Sequence, residues 1–139
     1  MSPHSRRLAG ILLVIFPTII YGGVSLLGLL ISDPRYQENA LRQDLWRAGH
    51  AHAGVLLILA LVCLRYVDEA RLPAWAKSVV REAVPLAAIL LPAGFFLSVL
   101  SPTATEPNAF IYCAYAGALS LTVGLLGLGV GLLRSQVRA

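Results

Sequence analysis

Charge is the first thing this sequence is short of. Only 13% of its 139 residues are Asp, Glu, Lys or Arg, about half of the roughly 25% usual in soluble domains. With 58% hydrophobic residues and a mean hydropathy of +0.75, a water-soluble globule is excluded. The net charge of +4 lacks the pattern that would direct it to nucleic acid. The basic residues sit at the ends of apolar blocks, and no basic stripe with interleaved aromatics exists. No nucleic-acid partner is expected.

Cysteine is equally sparse. Cys63 and Cys113 both fall inside apolar blocks, where a free thiol behaves as a small hydrophobe, so no disulfide is expected. Nor does a cleavable leader fit the N-terminal block. Its apolar core is longer than the roughly 7–15 residues of a signal-peptide core, and no Ala-x-Ala site follows it.

What is present is four apolar blocks, at 8–32, 48–66, 83–100 and 109–133. Their lengths approach or exceed the roughly 18–20 residues that cross a bilayer. The expected fold is all-α, a single polytopic domain with a bundle of four transmembrane helices running alternately up and down. Pro17 is a candidate kink in the first span. Segment 34–47 reads as a short amphipathic helix at the outer mouth, either separate from the second span or continuous with it. Asp33 caps it, Pro34 suits its first turn, and Glu38 and Arg42 stand at the favourable i,i+4 spacing. Trp46 fits an interfacial anchor.

Orientation follows from the basic residues near the span ends. Arg6, Arg7, Arg65, Arg71, Lys77, Arg81, Arg134 and Arg138 fall on one side, and Arg35, Arg42 and Arg47 on the other. Both termini are therefore expected in the cytoplasm, in a bacterial inner membrane. The first connection would then be periplasmic.

Helices in lipid associate through small residues that let backbones approach. In the fourth span Cys113, Gly117, Ser120, Gly124, Gly127 and Gly131 recur at spacings of four and three, giving a narrow seam of left-handed packing. Thr18, Gly22, Ser25 and Ser32 make a weaker seam in the first span. Spans one, three and four carry no Asp, Glu, Lys, Arg or His in their interiors, which argues against a proton relay or ion path. Tyr21, Tyr112 and Tyr115 read as interfacial or hydrogen-bonding groups. No paired carboxylate lies in the membrane, and no Ser or Cys stands near a base. The sequence therefore leans away from an enzyme.

One polar element remains: Arg47-Ala48-Gly49-His50-Ala51-His52-Ala53-Gly54, at the head of the second span. Two positions on a regular helix differ by about 200°, so His50 and His52 cannot both aim at one metal from a straight helix. Haem asks less: one axial imidazole, or two from facing helices, in an apolar slot. The small residues leave room for it, Arg42 and Arg47 are candidate propionate partners, and a symmetric dimer would supply a second histidine. Three other readings stand beside this one. The histidines could serve packing or interface contacts; they could respond to pH; or the chain could be a structural subunit of a homodimer or larger complex. In the last case the Gly127 and Gly131 edge would mediate association.

His-Ala-His-Ala-Gly at the head of an apolar span resembles the His-containing helix starts of haem–copper oxidase subunit I and of NnrS-like haem and copper membrane proteins. It also resembles the His-x-His spans of small uncharacterised bacterial membrane proteins. The resemblance implies haem b or copper at His50 or His52. The oxidase pattern needs further histidines on other spans, and none exists here. What the resemblance leaves is a single-haem or metal-handling role in electron transfer, sensing or oxidase assembly.

Overall fold

A computed structural model describes residues 1–136; Arg138, which entered the charge count, lies outside the described residues. Among the described residues five helices follow one another: α1 Pro3–Ser32, α2 Pro34–Gln37, α3 Ala40–Tyr66, α4 Ala74–Ser98 and α5 Ile111–Gln136. Among the described residues there is no strand. Four of the helices are long and apolar enough to cross a membrane.

The helix ends follow from local chemistry. The Ser2 hydroxyl accepts from the Ser5 N–H and Pro3 occupies the first turn of α1. Asp33 and Asn39 cap α2 and α3 in the same way, accepting from the N–H groups of Arg35 and Arg42. Both α3 and α4 begin eight or nine residues before the apolar blocks at 48 and 83. The residues there, rich in Arg, Glu, Lys and Ala, are good helix formers, and their charges limit only the depth at which the helix meets lipid. Charge therefore marks the edge of an apolar block rather than the end of a helix.

The helices alternate in direction, which the contacts at each end make plain. At the terminal end the Ser2 N–H donates to Asp68 in the α3–α4 connection, and the Arg71 N–H donates to the Gly131 carbonyl near the end of α5. At the distal end, Asn39 reaches the Pro102 and Ala104 carbonyls. Asn108 ties the same 99–110 loop to α4 through the Leu97 and Ser98 carbonyls.

The neighbour order is α1 on α3, α3 on α4 and α4 on α5, with a small contact between α3 and α5. A core of Leu12, Leu57, Ala60, Leu64, Val84 and Leu128 joins the four long helices nearer the terminal end. A smaller cluster of Leu56, Leu91 and Ala114 joins α3, α4 and α5 toward the other. Helix α1 is the outlier. Only 6% of its most apolar stretch is buried, against 44% for α4.

The α5 seam is spent inside the chain. A Cβ at Gly117 would lie 2.8 Å from the Leu91 backbone nitrogen, one at Gly124 2.8 Å from Val84, and one at Gly94 on α4 would run into Ala114. The Ser120 hydroxyl bonds the Ala83 carbonyl at 2.8 Å across the same interface. Gly127 and Gly131 face Val80 and Leu72. Side chains of the same chain therefore occupy the edge that the sequence offered for pairing with another protein.

Candidate functional site

Helix α3 carries the four residues singled out from the sequence, and it sends them to different places. Its run from Ala40 to Tyr66 is unbroken, so the two-residue spacing of the histidines keeps their rings on different faces.

His50 turns toward α1. Its ring edge lies against Gly22 and Gly23: a Cβ at Gly23 would stand 3.0 Å from Nε2, and one at Gly22 3.7 Å from Nδ1. A side chain at Gly23 would press on the imidazole, while one at Gly22 would only touch it. The ring makes no hydrogen bond among the described residues. It borders a cleft of about 220 Å³ walled by Leu26, Leu27 and Leu30 of α1, with Tyr36 and Arg47 also lining it.

His52 turns toward α4. It is exposed, its ring centroid lies 5.2 Å from that of Phe95, and Nδ1 stands 2.7 Å from the Ala48 carbonyl. A carbonyl can only accept, so Nδ1 carries the proton and donates it. In the neutral ring Nε2 is then a lone-pair acceptor held in a fixed orientation. A histidine that ligates a metal is generally set up by this kind of second bond.

Arg42 is buried and committed elsewhere. Its Nε donates to the Val99 carbonyl at 3.1 Å, and its guanidinium lies 4.4 Å from the centre of the Trp46 ring. Trp46 in turn donates to the Phe96 carbonyl and stacks near Tyr36. This assembly ties the first connection to the end of α4. Burial raises the Tyr36 phenol above its ordinary value, a rise that Arg47 and Arg42 partly offset and to which Asp44 adds. Arg47 is exposed and pairs with Asp44 at 2.8 Å. The structure thus brings Arg47 and His50 to one cleft, and places His52 and Arg42 outside it.

Among the described residues, no three His, Cys, Asp or Glu side chains come together as they would around a metal ion. Asp33 caps α2, and Glu38 and Glu106 make no hydrogen bond to either histidine.

The structure also gathers a polar cluster that the sequence did not suggest. At the terminal end Asp68 accepts from the Ser2 N–H at 2.6 Å and from Arg81 at 3.0 Å. Arg81 also donates to the Ser5 hydroxyl, Lys77 donates to the Asp68 carbonyl, and His4 pairs with Glu82. Burial alone would push the Asp68 carboxyl up. The Ser2 N–H, the Arg81 guanidinium and the two serine hydroxyls outweigh it and hold the group well below the usual carboxylate range. No local spacing announced this cluster, since its members come from α1, the α3–α4 connection and α4.

Compared with profiles of known protein families, with curated proteins and with solved structures, the chain finds no match in any of the three.

Proposed function

We propose that this is a multi-pass protein of the bacterial cytoplasmic membrane that binds one haem b, or one copper ion, through His52. It would serve as a binding or accessory protein in electron transfer, sensing or oxidase assembly. The observation that carries the reading is the His52 Nδ1–Ala48 hydrogen bond, which leaves Nε2 free as a ligand on an exposed face. Alanines at 48 and 51 keep that face low, and Phe95 and Val55 give it an apolar border. Bound there, haem supplies a one-electron centre. One chain offers one axial ligand, so a second would come from another copy across a two-fold axis. His50 opens only onto the cleft of about 220 Å³ beside α1, below the roughly 300 Å³ that drug-sized ligands need and so too small for the macrocycle, and neither Arg42 nor Arg47 stands beside His52 to pair with propionates.

The placement of both termini in the cytoplasm rests on charge. Arg6, Arg7, Arg65, Arg71, Lys77, Arg81 and Arg134 lie at the terminal end, and Arg35, Arg42 and Arg47 at the distal one.

Titrating haem into detergent-purified, haem-free protein tests the reading. Saturation at one haem per chain or per two chains, lost in His52→Ala and kept in His50→Ala, is expected. Haem uptake that ignores His52→Ala would overturn it.

A second reading is favoured by the exposure of α1. Gly10 and Gly28 would present a Cβ to open space, and so little of α1 is buried that the helix suits association with another membrane protein. In that case the chain is a structural subunit without a cofactor. Its partner would meet α1 and not the filled seam of α5.

A further inference from the structure

We infer that the cleft between α1 and α3 binds the head ring of a neutral, carbonyl-bearing amphiphile, a quinone, with the ring between His50 and Arg47. This rests on the membrane placement proposed above and not on a cofactor at His52.

The cleft has the right size for a ring and not for more. Its volume is about 220 Å³, while an apolar cavity of about 150 Å³ takes benzene and whole drug-sized ligands need roughly 300 Å³ or more. A substituted six-membered ring fits, and a tail would leave along Leu26, Leu27 and Leu30 into lipid. The polar groups sit where the carbonyls of such a ring would lie. Arg47 and Tyr36 line the cleft near the distal ends of the helices. His50 lies deeper, beside Gly23. Gly23 is nine residues before Ser32, about 13 Å along α1 from its distal end at about 1.5 Å per residue. Among the described residues the imidazole has no hydrogen-bond partner, and an unsatisfied polar group facing lipid is costly.

Charge selects the class of ligand. Arg47 is already neutralised by Asp44 at 2.8 Å, so the cleft offers hydrogen-bond donors without a surplus of positive charge. An anionic lipid phosphate would have to give up its hydration to reach His50, and no unpaired cation waits there to compensate. A carbonyl loses far less water and accepts the same hydrogen bond.

Trp46 provides the readout, because its ring lies 5.7 Å from that of Tyr36, which lines the cleft. With Trp75 replaced by phenylalanine, Trp46 is the remaining tryptophan. The full chain in lipid nanodiscs is titrated with a decyl-tailed benzoquinone while Trp46 fluorescence is followed. Saturable quenching is expected, with the midpoint raised about tenfold in His50→Leu and in Arg47→Leu. Gly23→Leu, which fills the deep end from the α1 side, should abolish saturation. Helical circular dichroism verifies that each variant is folded, and His50→Gln, which retains a donor, should recover most of the affinity. Quenching that rises linearly with quinone and is the same in every folded variant would overturn the inference. So would saturation that added phosphatidylglycerol removes, since the occupant would then be an anionic lipid. Failure of haem binding at His52 would leave these results untouched.

Discussion

His50 and His52 differ by two positions, and that alone gives them different neighbours: glycine backbone of α1 for the first, Phe95 and an i−4 carbonyl for the second. The two arginines part in the same way. Arg42 is enclosed, and its hydrogen bond satisfies the carbonyl of the fully buried Val99. Arg42→Ala should destabilise the fold by about 2 kcal/mol, in line with charged hydrogen bonds worth roughly 1.5–3 kcal/mol, and Arg42→Lys should not restore the guanidinium contact with the Trp46 ring. Arg47→Ala, at an exposed ion pair, should change stability by less than about 0.5 kcal/mol. Unfolding in detergent, followed by circular dichroism, checks both. Asp68 gives a pH dependence. Its folded carboxyl lies below the unfolded value of about 3.9, so its contribution is complete above that value and is lost as pH falls through the folded one. The melting temperature should therefore drop as pH is lowered from about 5 toward 2. Asp68→Asn should melt lower than the parent at pH 7 and show a shallower acid drop; equal slopes in parent and variant would contradict this role. The histidines were legible because they are rare polar groups at the head of an apolar run. The destination of Arg42 was not, since its acceptor is 57 residues away in sequence and a backbone carbonyl leaves no mark in the residue pattern.

Between helices, the most informative contrast lies within α5. Gly117 faces the backbone of α4, where an added methyl would stand 2.8 Å from the Leu91 nitrogen, while Gly129 has nothing within 4 Å. Backbone cannot move aside as a side-chain tip can. Gly117→Ala should cost about 1–3 kcal/mol, as overpacking does. Gly129→Ala should be neutral or stabilising by up to about 1 kcal/mol, since alanine favours the helix. Equal effects of the two would mean that the α4–α5 interface is not as close as described. This seam could be read from the spacing of Gly117, Ser120 and Gly124, because close helix approach in lipid requires small residues at a regular period. The sequence did not say which helix fills it. Any of the other spans, or a second protein, presents an acceptable apolar face, and only the three-dimensional arrangement selects α4. Helices α3 and α4 run back past the starts of their apolar blocks for a related reason: hydropathy reports the environment of a segment, and backbone conformation continues through its charged flank.

For the whole molecule, the four long helices form a row in which α1 is held by one helix along its length and by the Ser2, Ser5, Asp68 and Arg81 cluster at its base. The alternation of directions places the 99–110 loop and the α3–α4 connection at opposite ends. If the termini are cytoplasmic, a cysteine introduced at Glu106 should react with a membrane-impermeant maleimide in intact cells. One introduced at Glu69 should react only after lysis, and the reverse pattern would invert the topology. Length and hydropathy made the four helices and their alternation legible, while the weak hold on α1 was hidden because it depends on how little of that helix the others cover. The central claim is that His52 is a ligand. It is tested most directly by the absorption spectrum of protein purified in detergent from cells supplied with haem precursor, recorded oxidised and then reduced with dithionite, with copper determined on the same sample. A Soret band and an α-band that sharpens on reduction, or one copper per one or two chains, are expected, present in His50→Ala and lost in His52→Ala. A featureless spectrum without stoichiometric copper, or a signal that survives His52→Ala, would contradict it.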